Sequence, residues 1–383
     1  MISIGLENGF KCNYYRRTLT IFCLFKASCF AKEMHMATDH PNPLGVEQFE
    51  FIEFASPQPA KLHELFNALG FTAVARHQAR PITLYRQGGI RFLINETPDS
   101  HASRFAAEHG PCCTGFALRV ADPAEARRRL IERGAELIDE NAGAPGLDLP
   151  CIAGIGGSLL YLCAGPQDLE AGFDFDPAVD PEPVGAGLYF IDHLTHNVEN
   201  GQMRHWAGFY EKLFGFYEVK YFDIKGAQTG LRSQAMTAPN GRISIPINES
   251  DDPKSQINEY LDQYRGEGVQ HIALYTDDIY ASVEQLRASG IEFLDTPNAY
   301  FDVIDQRIPN HGEDVDRMRR NRILIDADRQ QPDKQLLQIF TQTSIGPIFF
   351  EIIQRKGNEG FGEGNFQALF EAIERDQRER GVL

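Results

Sequence analysis

The sequence has no excess of basic residues, no closely paired cysteines and no apolar run long enough to cross a bilayer. It carries 37 Lys and Arg against 54 Asp and Glu, a formal net charge of −17. That balance argues against partners that need clustered cations, namely nucleic acid and an acidic membrane surface. The seven cysteines are odd in number and scattered. Cys12, Cys23 and Cys29 come early, Cys112 and Cys113 are adjacent, and Cys151 and Cys163 follow. With no CxxC pair and no repeated spacing, they read as reduced thiols of a cytoplasmic protein. Near the N-terminus, Arg16-Arg17 precede an apolar stretch from Thr18 to Phe25 that Lys26 stops. It is too short for a membrane span and poor as a secretory signal. Residues 1–44 are therefore expected to be a disordered or over-extended leader, with Met34 and Met36 as alternative starts, and the fold is expected to begin near Gly45.

What is present is one architecture written twice. An acidic, proline-bearing stretch over residues 173–186 has linker composition. It separates a first domain, 45–172, from a second, 187–383. The first opens with Phe51-Ile52-Glu53-Phe54 and the second with Phe190-Ile191-Asp192-His193. An amphipathic helix follows each, marked by Leu62, Leu65, Phe66 and Leu69 in one and by Met203, Trp206, Tyr210, Leu213 and Phe214 in the other. Both helices stop at a Gly-Phe pair, Gly70-Phe71 and Gly215-Phe216. Later strands end Ile94-Asn95-Glu96 and Ile247-Asn248-Glu249. A second unit then begins, Gly115-Phe116-Ala117-Leu118 matching His271-Ile272-Ala273-Leu274. Asp122 and Asp277-Asp278 precede helices that end at Gly134 and Gly290, followed by Ala135-Glu136-Leu137 and Ile291-Glu292-Phe293. Each half reads strand–helix–strands, twice. The expected class is α+β, two tandem domains of paired βαβββ units whose curved sheets wrap a cavity. Phe366, Leu369, Phe370 and Ile373 have helical spacing and form an expected C-terminal helix behind the flexible entry Gly362, Gly364 and Asn365.

One carboxylate interrupts an apolar strand, Ile348-Phe349-Phe350-Glu351-Ile352-Ile353. Burying an unpaired carboxylate costs several kcal/mol, so Glu351 implies a cation. Aligning the matching motifs of the halves sets His193 against Phe54 and His271 against Gly115, and counting five residues on from Gly346 and from Gly157 sets Glu351 against Leu162. Three positions that are apolar or glycine in one half are potential metal ligands in the other. Two imidazoles and a carboxylate make a facial triad suited to non-haem Fe(II) and oxygen chemistry. The spacings of 78 (271 − 193) and 80 (351 − 271) bring the ligands from different strands and exclude a helical HExxH site. His196 competes with His193, but positions three apart on a strand face opposite sides. His193 is preferred because the alignment pairs it with Phe54, taken to face inward. His205 and His311 read as surface residues.

These residues sit in longer motifs. Gly187 through Val198 (GLYFIDHLTHNV), Gly266 through Leu274 (GEGVQHIAL), Leu336 through Phe340 (LLQIF), Phe349 through Gly357 (FFEIIQRKG) and Gly360 through Phe366 (GFGEGNF) together resemble the 4-hydroxyphenylpyruvate dioxygenase family. The resemblance covers about Gly45 to Leu383 and is most specific in the last two motifs. It implies the vicinal oxygen chelate fold, with a metal-free first domain and one Fe(II) per subunit at His193, His271 and Glu351. It also implies a substrate pocket, with Ser233, Asn248, Gln256 and Gln338 as polar contacts. Phe340, Phe349, Phe361 and Phe366 would form an aromatic wall, and the C-terminal helix a gate. The implied reaction consumes an aromatic α-keto acid, 4-hydroxyphenylpyruvate, and O2, and yields homogentisate and CO2 in tyrosine and phenylalanine catabolism. A dimer or tetramer is the implied assembly. The rival readings are hydroxymandelate synthase, which tends to carry a smaller aliphatic residue where this chain has Phe366, a ring-cleaving extradiol dioxygenase, and a metal-free small-ligand binding protein of the same fold.

Overall fold

The computed structural model describes residues 40–138, 147–225, 230–328, 331–366 and 368. The expected leader through residue 39 lies outside them, as do Leu369, Phe370 and Ile373 of the expected terminal helix.

The first half runs β1 (Phe49–Ala55), α1 (Pro59–Ala68), β2 (Thr72–His77), β3 (Ile82–Gln87), β4 (Ile90–Asn95), α2 (His101–His109), β5 (Cys112–Arg119), α3 (Pro123–Glu132), β6 (Cys151–Ala153), β7 (Leu159–Cys163), α4 (Pro166–Glu170) and β8 (Phe173–Phe175). Its eight strands form one sheet in the order β6-β7-β5-β1-β4-β3-β2-β8. β1 at its middle is buried along its whole length, because both faces are covered. Ile52 and Phe54 enter a large cluster with the helix residues Leu62 and Phe66. Phe51 enters a smaller cluster with Leu84, Leu93 and Tyr161. α1 starts on a proline in its first turn, where the missing N–H costs nothing. α3 starts on Asp122, whose side chain accepts from Glu125 N.

The second half repeats the plan: β9 (Leu188–Asn197), α5 (Met203–Phe214), β10 (Tyr217–Lys225), β11 (Gly230–Thr237), β12 (Ser244–Glu249), α6 (Gln256–Tyr264), β13 (Gly268–Thr276), α7 (Ile279–Ala288), β14 (Leu324–Ala327), β15 (Gln335–Phe340) and β16 (Phe349–Lys356). The sheet order is β10-β11-β12-β9-β13-β16-β15-β14. β9 and β13 are antiparallel, while β9–β12 and β13–β16 are parallel. The analogous pairs β1–β5, β1–β4 and β5–β7 have the same senses. α5 ends on Gly215 at φ 76, the left-handed cap that glycine adopts at least cost. The large cluster takes residues from both halves, and the Phe92 and Phe350 rings meet across it at 6.1 Å.

Three expectations need adjustment. Residues 40–44, assigned to the leader, are packed: the His40 ring stacks on Tyr217 at 3.8 Å, and Leu44 is in the core. Residues 173–175, assigned to the linker, are β8, paired with β2. Ala135-Glu136-Leu137 forms no strand, although Glu136 O accepts from Ala153 N at 3.1 Å, and Phe293 makes an isolated bridge to Thr341.

Candidate metal centre

The central strands β9, β13 and β16 bring the three candidate ligands together. Ala273 lies opposite His193 and beside Glu351, whereas Leu274 lies opposite Ile191. Asp192 is therefore an extra residue in β9, a β-bulge. The bulge lets two consecutive side chains serve one site: Asp192 Oδ1 accepts from His193 Nδ1 at 2.8 Å. A second shift leaves Gln270 unpaired in the β9–β13 ladder, and Gln270 Oε1 accepts from His271 Nδ1 at 2.7 Å.

Those two bonds decide the tautomers. With each Nδ1 carrying the proton, each Nε2 presents a lone pair. The two Nε2 atoms are 3.3 Å apart. Glu351 Oε2 is 3.2 Å from that of His193 and 3.5 Å from that of His271. Thr195 Oγ1 lies 2.9 Å from His271 Nε2. Three ligand atoms within 4.8 Å of one another thus point electron pairs at a common point, an arrangement that repels itself unless a cation occupies the middle. The donor set fits a divalent metal of the iron type, with two nitrogens and one oxygen from three strands and open positions remaining.

The electrostatics agree. Burial disfavours the charged imidazolium at both rings. At His193 the Glu351 and Asp192 carboxylates override it and raise the pKa to about 9, the same pull that the site would exert on a cation. At His271 burial prevails and the pKa is lowered. Burial also opposes ionisation of Glu351, yet the His193 charge lowers its pKa to about 2. Asp192, likewise buried, is held below the usual carboxylate range by Arg355. Arg355 grips it in a bidentate fork, Nε to Oδ2 and Nη2 to Oδ1, both 2.7 Å.

The aromatic candidates divide. Phe349 stacks on His271 with ring centres 5.0 Å apart, Phe340 lies 6.0 Å from Phe349, and Phe361 meets His193 edge-on at 5.6 Å. Phe366 is 38% exposed. Ser233 and Asn248 are opposite one another on β11 and β12, and Asn248 Nδ2 donates to Asn197 Oδ1 at 3.4 Å. Gln338 is 1% exposed, and its Oε1 has no partner among the described residues. Gln256 is the exposed first residue of α6. His196 points away from the centre to Tyr210 Oη at 2.8 Å, and burial lowers its pKa to about 3. His311, read as a surface residue, is buried against Asp305 at 2.9 Å; the polar loop around it hid that.

The choice of His193 over His196 stands, but the alignment behind it does not. Phe54 lies opposite Cys113 and Glu53 opposite Gly115. His196 lies opposite Val269 and Thr195 opposite His271. Taking Gly115 with His271, Phe54 corresponds to His196, and both face the helices. The counterpart of His193 is Phe51. By the β5–β7 and β13–β16 registers, Ala117 beside Tyr161 matches Ala273 beside Glu351. Glu351 thus corresponds to Tyr161 rather than Leu162. Phe51 and Tyr161 pack at 5.4 Å, so an aromatic pair fills the place that the second half gives to two ligands.

Asp192, Thr195, Gln270 and Arg355 were not assigned from sequence. The dipeptides Asp192-His193 and Gln270-His271 carried a signal, since in each a polar side chain directly precedes a ligand histidine.

Comparison with known proteins fits this geometry. A family model described as hydroxyphenylpyruvate dioxygenase, N-terminal, matches residues 40–178. A model for the glyoxalase/bleomycin resistance protein/dioxygenase superfamily matches residues 190–303. A 4-hydroxyphenylpyruvate dioxygenase from Pseudomonas sp. (strain P.J. 874) is 51% identical over 351 residues, 90% of this chain and 98% of the relative. A protein named hemolysin VllY from Vibrio vulnificus (strain CMCP6) is 53% identical over 353 residues, 90% of this chain and 99% of the relative. Among solved structures, a triple mutant of 4-hydroxymandelate synthase from Streptomyces coelicolor superposes with a TM-score of 0.75 at 27% identity, covering 87% of this chain and 100% of that one. On matches of this extent, together with the His193–His271–Glu351 cluster, the chain belongs to the 4-hydroxyphenylpyruvate dioxygenase family.

Proposed function

We propose that the protein is a 4-hydroxyphenylpyruvate dioxygenase. It converts 4-hydroxyphenylpyruvate and O2 to homogentisate and CO2, within tyrosine and phenylalanine catabolism. The observation that carries the reading is the convergence of three lone-pair donors, the two imidazoles each oriented by a neighbour, beside an aromatic wall. One Fe(II) per subunit would be held by His193, His271 and Glu351. When bound, it supplies redox chemistry and open positions for the keto-acid chelate and dioxygen. The balance closes without a second keto acid. The substrate loses its carboxylate as CO2, one oxygen atom enters the new side-chain carboxylate and the other becomes a ring hydroxyl.

The chain's own residues bind, orient and exclude water. Phe340, Phe349 and Phe361 offer apolar faces to an aromatic ring, and a dry wall protects reactive species from water. Ser233 and Gln338, both buried, and the half-buried Asn248 are the polar groups assigned to the substrate side, and the unpartnered Gln338 Oε1 is a ready acceptor for a phenol hydroxyl. Gln256 and Phe366, assigned to the same pocket by the family resemblance, are exposed here. A first domain widened to about residues 40–175 by the packed residues 40–44 and by β8, a second over 187–383, a cytoplasmic setting and a dimer or tetramer complete the proposal. No helix among the described residues is long and apolar enough to cross a membrane.

The test is anaerobic loading with Fe(II), addition of 4-hydroxyphenylpyruvate and then O2, and identification of the product. Homogentisate is expected. Hydroxymandelate would move the chain to the related synthase, and no turnover with no iron uptake would leave the metal-free binding reading.

A further inference from the structure

The guanidinium of Arg355 joins two structures that the mechanism so far treats separately. One face holds Asp192 through the bidentate pair at 2.7 Å, and Asp192 holds His193 Nδ1. The other nitrogen, Nη1, donates to Asn358 O at 3.0 Å and to Gly360 O at 2.6 Å. That turn leads directly to Phe361, and the Arg355 Cζ lies 5.9 Å from the Phe361 ring centre. The same ring then returns to His193 at 5.6 Å. The turn is braced in its own right, because Asn358 Oδ1 accepts from Gly360 N at 2.7 Å.

The loop of contacts is closed: His193 to Asp192 to Arg355 to the turn to Phe361 and back to His193. An arginine suits the centre of such a loop, since its planar fork binds a carboxylate in fixed geometry while its remaining donors reach elsewhere. Asp192 keeps the Nδ1–H tautomer of His193 only while its carboxylate is oriented toward the ring, and the Arg355 fork fixes that orientation.

From this we infer that Arg355 is a positioning residue that couples the turn at residues 358–361, and with it the Phe361 wall, to the orientation of the metal-binding imidazole. The inference rests on the metal-centre reading above. It means that a displacement of the turn when substrate presses on Phe361 is transmitted to His193 through rigid charge-assisted bonds.

The test uses the full chain with Co(II) as a spectroscopic probe, titrated without oxygen into wild type, Arg355→Met, Arg355→Lys, Asp192→Asn and the Arg355→Met/Asp192→Asn double variant. Groups that orient a metal ligand typically change metal affinity by about ten- to a hundred-fold. Arg355→Met and Asp192→Asn are each expected to weaken Co(II) binding by that factor and to shift its visible absorption in the same direction. The double variant is expected to lose little more than either single one. Arg355→Met, but not Asp192→Asn, is also expected to open the 358–361 turn to limited proteolysis. Arg355→Lys keeps the charge but not the fork, and is expected to be intermediate. Should Arg355→Met fail to fold, the lysine variant decides.

A purely structural Arg355 predicts a protease-sensitive turn with Co(II) affinity within two-fold of wild type and an unchanged spectrum. That result overturns the coupling, as do losses that multiply in the double variant. Wild-type protein that binds Co(II) but forms no homogentisate counts against the substrate reading alone.

Discussion

What a buried carboxylate does depends on what it faces, and Glu53 and Glu351 face opposite things. Glu351 meets two imidazoles, and its pKa is lowered to about 2. Glu53, fully buried in the first half, meets neutral donors: Asn95 Nδ2 at 2.8 Å, Thr114 Oγ1 at 2.7 Å and Tyr161 Oη at 3.3 Å. These bonds do not offset desolvation, so its pKa is raised above 4.5. Because the folded state holds this proton more tightly than the unfolded chain, Glu53 contributes fully below the unfolded value. Its contribution is lost as pH rises through the folded value. The stability of wild type relative to Glu53→Gln should therefore decline with rising pH above 4.5, measured by urea unfolding at several pH values with the fluorescence of Trp206, the single tryptophan. Parallel profiles for the two proteins would refute this account. Glu351→Ala removes one of three proposed ligands. Fe(II) at a hundred times its Kd should stabilise wild type by about 2.7 kcal/mol and leave the variant's melting temperature unmoved; equal shifts would place the metal elsewhere.

At the level of elements, repeat-equivalent strands reach different chemistry through spacing and side-chain volume. β5 and β7 run so close that a Cβ on Gly115 would meet Leu159 O at 2.5 Å. The equivalent β13 carries His271 beside Phe349. A side chain on β5 at the ligand position is thus excluded by backbone, whatever its chemistry. Gly115→Ala is expected to cost about 1–3 kcal/mol through overpacking. Gly208 makes the contrast, since it lies inside α5 with nothing within 4 Å of an added Cβ. Gly208→Ala should stabilise by about 0.5–1 kcal/mol through helix propensity. Thermal melts of the two variants should therefore move in opposite directions, and a neutral Gly115→Ala would show that the strands can part.

Across the whole molecule, the two halves share the large core, beside a smaller cluster that belongs to the first half alone. The large cluster draws Phe92 and Phe116 from the first half and Leu194 and Phe350 from the second. Phe116 also lies 6.1 Å from the buried His196 ring. Gln87 Oε1 accepts from Ala186 N at 2.6 Å, where the chain passes between the sheets. Residues 187–383 produced alone would expose the apolar surface that the first half covers, and exposed patches of that kind drive association. Sedimentation and near-ultraviolet circular dichroism are expected to show an aggregated chain without a cooperative transition; a sharp, monomeric melt would show that the second half folds unaided.

The sequence by itself determined the doubled strand–helix plan, the helix ends at Asp122, Gly215 and Asp278, and the three residues that cluster as candidate ligands. The first two depend on local residue type; the third came from a carboxylate in an apolar strand, a signal that Glu53 shares with only neutral donors around it, and from the motifs around the histidines. Only the tertiary structure decided the true repeat register, because strand faces alternate every residue and one bulge reverses them. Counting along the chain set Phe54 against His193 and Leu162 against Glu351, whereas the ladders set Phe51 and Tyr161 there. The structure also decided the link from Arg355 to Asp192, which spans 163 residues, and the exposure of Gln256. No periodicity records which distant strands become neighbours; that is fixed when two sheets close over a shared core and leave the candidate metal centre on the other face of the second sheet.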